Sequence, residues 1–347
     1  MRRLWLVVVL DLMGLVGCNH GAPAQKQRTE VVVADLSTPA ISTHDVEFYS
    51  ASLKRRMTYR VLLPASYETL PQQSYPLLVL LHGRNYSTCQ REWQANSNFT
   101  QLLQGAEIIV VMPEGDNSYY TNAAQKPEDR YEDYIVQDLM MDVTSFYRIR
   151  ADRSAHGIGG ISMGGWGALN LGIRHPDVFA FVASLSAPLD ITSQPFSWRR
   201  PFNARYLRKI FGQEGSRQRA AYDIFKLEKA RAGDLHDTYF FLSCGTGEPL
   251  LEPNRRMANA MHDSSLNYKY TEVPGAHNWN NWNQVLPQMI AAARERLGTP
   301  LMHPAAPGAP KTTPSAIPVV SAPANPDPVI PNPKPHPHKI DHGHPPS

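Results

Sequence analysis

Cysteine is scarce in this chain, with three in 347 residues, at positions 18, 89 and 244. At most one disulfide can therefore form, which excludes a small fold held together by disulfides. A dominant charge is also missing: 34 Lys and Arg face 31 Asp and Glu, a net charge of +3. That balance argues against a nucleic-acid partner. Long apolar runs are absent as well. The longest, Leu4 to Val16, is interrupted by Asp11 and is too brief to be read as a membrane span.

What is present is enough apolar residue, 42% of the chain, to bury one full-sized core. Apolar segments at Val46 to Tyr49, Tyr59 to Leu63, Leu77 to Leu81, Ile108 to Met112, Ala155 to Gly160, Phe181 to Leu185, Thr238 to Ser243 and Tyr268 to Val273 read as strands. Helical patterns fall between several of them. This alternation predicts an α/β fold with a mostly parallel central sheet of about eight strands, flanked by helices.

The most informative segment is Gly160-Ile161-Ser162-Met163-Gly164. It has the form of a nucleophile elbow, in which a serine sits on a strained turn between strand and helix and the flanking glycines allow close backbone approach. By chance a G-x-S-x-G match arises in about one chain in ten of this length, so context carries the reading. A strand-like run precedes it, and Trp166, Ala168, Leu169 and Leu171 lead into a helix that ends near His175-Pro176. Ser162 is the candidate nucleophile, with the Met163 backbone N–H facing the oxyanion.

Serine at neutral pH is a weak nucleophile and needs a histidine base, which in turn needs a carboxylate to hold its tautomer. His277, on the turn Pro274-Gly275-Ala276-His277-Asn278-Trp279 after the last strand-like run, is the expected base. His175 at a helix end and His156 in or beside a strand compete weakly. The expected acid is Glu248, the first carboxylate after Thr238 to Ser243; Asp190 and Asp263 are the alternatives, read more simply as a turn residue and a solvated helix residue. His82 opens the turn His82-Gly83-Arg84-Asn85 after a buried-strand run. That turn is expected to supply the second oxyanion donor, from the Arg84 N–H or alternatively the Gly83 N–H.

With these residues in place the chain resembles the "Putative esterase" family of α/β-hydrolases, which groups esterase D, feruloyl, acetylxylan and tributyrin esterases and the antigen 85 mycolyltransferases. The matching motifs are Tyr75 to Gly83, Tyr134 to Leu139, the elbow through Leu169, Cys244-Gly245-Thr246, and Gly275 to Trp279 with Trp282. Together they extend over roughly residues 45 to 297. The resemblance implies an α/β-hydrolase fold and a serine carboxylesterase using Ser162, Glu248 and His277, with no metal or cofactor. Glu248 stands where the family usually has Asp, so its extra methylene must be absorbed by the loop. The substrate class implied is an acyl ester, small or carbohydrate-linked. An acyltransferase of envelope lipids or glycans would use the same acyl-enzyme, and a catalytically inactive envelope-binding lipoprotein is the alternative from another class. Tyr119, Tyr120 and Trp279 are candidate walls for the acyl or sugar group, whereas Trp166 and Trp282 read as packing.

The ends of the chain differ in kind. Arg2-Arg3 followed by Leu4 to Val16 reads as an export signal, and Leu15-Val16-Gly17-Cys18 resembles a lipobox, making Cys18 the lipidation site and the membrane anchor. A cleaved signal with a fortuitous cysteine is the alternative. Residues 1–18 are thus the signal, 19–42 a tether, 43–298 the catalytic domain, and 299–347 a Pro- and His-rich extension that cannot form a core. The expected location is the cell envelope, where the extension can contact an envelope polymer. Cys89 and Cys244 remain as a possible pair in an exported protein. A basic stretch from Arg199 to Arg219 reads either as a solvated face or as a site-side patch favouring anionic substrates.

Overall fold

The computed structural model describes residues 40–84, 89–193 and 201–303, without the side chains of residues 89 and 201–203. Among the described residues the strands are β1 (Ser42–Ser50), β2 (Arg55–Leu63), β3 (Gln73–Ser74), β4 (Leu77–Leu81), β5 (Ile109–Pro113), β6 (His156–Ile161), β7 (Phe181–Leu185), β8 (Tyr239–Gly245), β9 (Asn267–Val273) and β10 (Leu301–Met302). Eight of them form one sheet in the order β1-β2-β5-β4-β6-β7-β8-β9. Only β2 runs against the rest, pairing antiparallel with both β1 and β5. All other pairings are parallel. Each of the eight strands expected from the sequence has its counterpart in this sheet.

β4 shows why its segment is apolar throughout. Leu77, Val79 and Leu81 enter one core cluster and Leu78 and Leu80 the other, because successive side chains point to opposite faces. On the first face the sheet packs against the elbow helix Met163–Arg174, with Trp166, Leu169 and Ile173 buried. On the second lies the helix Trp279–Leu297, which buries Trp282, Val285, Leu286, Met289, Ile290, Ala293 and Leu297, a stripe at helical spacing.

β1 is longer than the expected Val46 to Tyr49, because its first half is held by ladder hydrogen bonds and its side chains are largely exposed. Apolar periodicity cannot reveal such a segment. The described backbone continues past residue 298. Leu301 and Met302 are exposed, yet their backbone pairs with Gln73 and Ser74, and Arg150 donates to the carbonyls of Leu297 and Thr299. Cys18, most of the tether and the extension beyond residue 303 lie outside the described residues. Among the described residues no helix is long and apolar enough to cross a membrane.

Candidate active site

The carboxyl ends of the parallel strands carry the polar residues singled out above. This is the edge of an α/β sheet where ligands bind. Ser162 follows β6, Glu248 follows β8, and His277 follows β9. Ser162 has φ 53° and ψ −117°, a backbone conformation outside the ordinary allowed regions. The elbow is held by its own hydrogen bonds: Ser162 N–H donates to Leu185 O at 2.8 Å, and Ser162 O accepts from Trp166 N–H at 3.0 Å. Glycine is required around it. A Cβ on Gly160 would lie 2.2 Å from Gly164 O, and one on Gly164 would lie 2.3 Å from Leu81 O and 2.6 Å from His82 O. The first turn of the elbow helix therefore abuts the end of β4 backbone to backbone.

A single hydrogen-bonded chain joins the three residues. His277 Nε2 is 2.8 Å from Ser162 Oγ, and His277 Nδ1 is 2.6 Å from Glu248 Oε2. The imidazole edge is partly open to solvent, while the Glu248 side chain is fully buried. Glu248 absorbs its extra methylene by folding back over its own turn, so that Oε1 accepts from Gly245 N–H at 2.9 Å. The same oxygen accepts from Ser186 Oγ at 2.6 Å and from Asn281 Nδ2. Burial is the largest single influence on this carboxyl and opposes ionisation. The hydrogen bonds from His277, Ser186 and the Gly245 N–H, together with the electrostatic attraction of His277, outweigh it and hold the group below the usual carboxylate range. Acid and base loops are tied directly, with Thr246 N–H on Val273 O and Gly247 N–H on Gly275 O, both at 2.9 Å.

Ser186, Asn281 and Trp282 support the acid and were not singled out for this from the sequence. Trp282 is packed as expected, but its indole N–H also donates to Ser186 Oγ at 3.0 Å and its ring meets the His277 ring edge-on. The one available signal was the polar cluster Asn278 to Asn283 directly after the histidine. The Asp190 carboxylate lies 3.8 Å from Arg256, and the carboxylate bonded to His277 Nδ1 is that of Glu248. Asp263 is an exposed residue at the end of its helix. His156 contacts Arg150 O and His175 contacts Glu132, so neither reaches Ser162.

Met163 opens the elbow helix, and the first N–H groups of a helix have no intrahelical acceptor. Its N–H and that of Arg84 are the two candidate oxyanion donors. Gly83 must be removed from that role, because its N–H donates to the buried Glu92 carboxylate at 2.8 Å. The aromatic walls also need correction. Tyr119 is 4% exposed and packs edge-on against Trp166 and Phe211, its phenol pushed up to about 12 by burial. Tyr120 is fully buried with its hydroxyl on His82 O. Both are core residues, since the left-handed turn that carries them directs their rings inward. Trp279 is half-buried between Trp93 and Trp282.

A different aromatic does stand beside the oxyanion turn. The Arg84 guanidinium lies over the Tyr206 ring at 5.8 Å, and the Tyr206 hydroxyl donates to Asn117 O. Tyr206 comes from the helix Pro201–Phe211, within the basic stretch. In that stretch Arg219 is buried and donates to Thr192 O, so it is a structural residue, whereas Arg199 and Arg200 lie outside the described residues. Cys244 is a free, buried thiol, pushed up to about 12 chiefly by burial. Among the described residues no group of His, Cys, Asp and Glu can hold a metal ion. A surface depression lined by Gln137, Met141, Arg153 and His156 lies at the start of β6, the opposite end of that strand from Ser162.

Comparison with known proteins identifies the family. The family model described as "Putative esterase" matches residues 50–293. An acetyl esterase of Caldicellulosiruptor saccharolyticus is 27% identical over 254 residues, covering 70% of this chain and 94% of that protein. The diacylglycerol acyltransferase/mycolyltransferase Ag85A of Mycobacterium leprae is 26% identical over 265 residues, covering 64% and 76% respectively. Among solved structures a ferulic acid esterase superposes with a TM-score of 0.64 at 25% identity, covering 75% of this chain and 99% of that one. The chain belongs to the "Putative esterase" family of α/β-hydrolases and is a serine ester hydrolase.

Proposed function

We propose that the protein is a carboxylesterase acting through an acyl-enzyme on Ser162, on esters of small acyl groups or esters linked to carbohydrate. The observation that carries this reading is the continuous chain from Ser162 Oγ through His277 to the buried Glu248. His277 Nε2 takes the Ser162 proton as Oγ attacks the ester carbonyl, and Glu248 stabilises the imidazolium that forms. The Met163 and Arg84 N–H groups receive the oxyanion. Collapse of the tetrahedral intermediate breaks the bond to the leaving alkoxide, which takes the proton from His277 and departs as the alcohol. Water then repeats the sequence on the acyl-enzyme, releasing the acid and restoring Ser162.

The substrate class draws support from the relatives named as acetyl and ferulic acid esterases. A relative named as an acyltransferase favours a second reading, in which an alcohol other than water accepts the acyl group. Product analysis with added sugar or glycerol separates the two, as acylated acceptor against free acid.

The place of action is proposed from the chain ends. A signal at residues 1–18, lipidation of Cys18, a tether over 19–42 and a polymer-contacting extension after the domain put the enzyme on a membrane facing the cell envelope. Metabolic labelling with a fatty acid, lost on Cys18→Ser, tests the anchor.

The decisive experiment on the chemistry treats the protein lacking residues 1–18 with a fluorophosphonate. The label is mapped by mass spectrometry, beside turnover of p-nitrophenyl acetate, p-nitrophenyl butyrate and feruloyl esters. Labelling confined to Ser162 with ester turnover is the expected result. A folded protein with neither would move the weight to a binding role.

A further inference from the structure

The turn that carries Arg84 is held by buried side chains that take no part in the triad. Gly83 N–H donates to Glu92 Oε2 at 2.8 Å, and Glu92 is fully buried. The carbonyl of that same peptide unit, His82 O, accepts from the Tyr120 hydroxyl at 3.1 Å. His82 itself is buried, with Nδ1 2.7 Å from Gly83 O and Nε2 2.9 Å from the Gly115 nitrogen. A carbonyl only accepts and a backbone N–H only donates, so the tautomer with the proton on Nδ1 and Nε2 as acceptor satisfies both partners; Glu114 Oε1 also lies 3.4 Å from Nε2.

Gly83 C=O and Arg84 N–H belong to one planar peptide, trans like every described peptide of the chain, and they point in opposite directions. A ring N–H that holds the oxygen therefore also sets where the Arg84 N–H points. We propose that His82 and Glu92 are positioning residues for the oxyanion hole. His82 aims the Arg84 N–H, and Glu92 draws the Gly83 N–H to the other side, so that the turn offers one preset donor. A donor already aligned costs no reorganisation when charge develops on the substrate oxygen. This role rests on the Ser162 acyl-enzyme described above, not on any particular acyl group.

The test measures kcat and KM for p-nitrophenyl acetate in the full chain, per Ser162 site titrated with a fluorophosphonate. It also measures inhibition by a boronic acid, whose tetrahedral adduct puts an oxygen where the oxyanion forms. His82→Ala and Glu92→Ala are expected to lower kcat per titrated site about tenfold to hundredfold, with KM changed less than about threefold and boronate affinity weakened in parallel. His82→Asn keeps a donor for Gly83 O, and Glu92→Gln keeps an acceptor for Gly83 N–H. Each should recover at least about a third of the original kcat.

Fewer titratable sites with kcat per site retained would mean a folding role only and overturn the proposal, as would Asn and Gln forms as impaired as the Ala forms. Should the Ala forms not fold, a fall of more than about tenfold in the Asn and Gln forms overturns it. An unaltered protein without ester turnover removes the acyl-enzyme reading and this proposal with it, which the variants alone would not do.

Discussion

The Ser186 hydroxyl donates to Glu248 Oε1 at 2.6 Å from a residue whose backbone sits at φ 50°. Ser186 follows β7 directly, and its N–H is anchored on Ser243 O at 2.7 Å, so the hydroxyl is fixed from two neighbouring strands. Ser186→Ala should cost about 1–3 kcal/mol of stability near neutral pH, the worth of a hydrogen bond to a charged group. The sign follows from linkage. Glu248 is held below its usual pKa, so its contribution is present above the unfolded-state value near 4.5 and is lost as pH falls through the folded value. The stability gap between the two proteins should therefore be widest near neutrality and shrink in acid, as read from urea midpoints across pH.

The triad itself is tested by kinetics. Ser162→Ala and His277→Ala should each lower kcat by about three orders of magnitude or more, and Glu248→Gln somewhat less, since it orients the imidazole rather than reacting. A nearly silent Glu248→Gln beside a severe Asp190→Asn would reassign the acid.

Gly245 marks the tightest convergence on the acid. A Cβ there would lie 2.4 Å from Asn281 Nδ2, 2.6 Å from Gly275 O and 2.7 Å from Glu248 Oε1. One of these contacts is backbone and cannot swing aside. Gly245→Ala should destabilise by about 1–3 kcal/mol and lower kcat more than KM, measured by thermal unfolding and steady-state turnover.

Tyr119 is buried among Trp166 and Phe211 and should behave as core. Tyr119→Ala should cost about 3–5 kcal/mol, as large core truncations of aromatics do, whereas Tyr119→Phe should shift KM for any ester less than about twofold. A strong KM effect of Tyr119→Phe would return the residue to the substrate pocket.

His156 gives a separate pH effect. Burial is the largest influence on it and lowers its pKa below 6.5, so the unfolded chain binds a proton that the folded chain does not. Stability should fall as pH drops from about 6.5 toward the folded-state value and then level off for this group. His156→Gln should flatten that part of the stability profile.

Legibility followed locality. The strands of the sheet interior announce themselves as continuous apolar runs, and the elbow does so through glycines that its own backbone geometry demands. Glu248 was found as the first carboxylate after one late strand, and His277 as a histidine on a glycine turn after another. Ser186 and Asn281 were not found, because a lone serine and one asparagine among several become informative only when β7 and the last helix meet over the Glu248 loop. Tyr119 and Tyr120 read as pocket residues from a polar loop, yet two left-handed residues in succession turn both rings into the core.

The sequence by itself determined the α/β class, the order of the strands along the chain and the residue types that can perform acyl transfer. Each of these is written in apolar spacing, glycine placement or the chemistry of single side chains. Only the tertiary structure decided that Oε1 of Glu248 is saturated by Ser186, Gly245 and Asn281, and that Glu92 removes the Gly83 N–H from the oxyanion site. Those are pairings between segments distant in the chain or between one turn and its own backbone. Hydrogen bonding depends on distance and direction within a few tenths of an ångström, a condition that packing sets and residue order alone does not record.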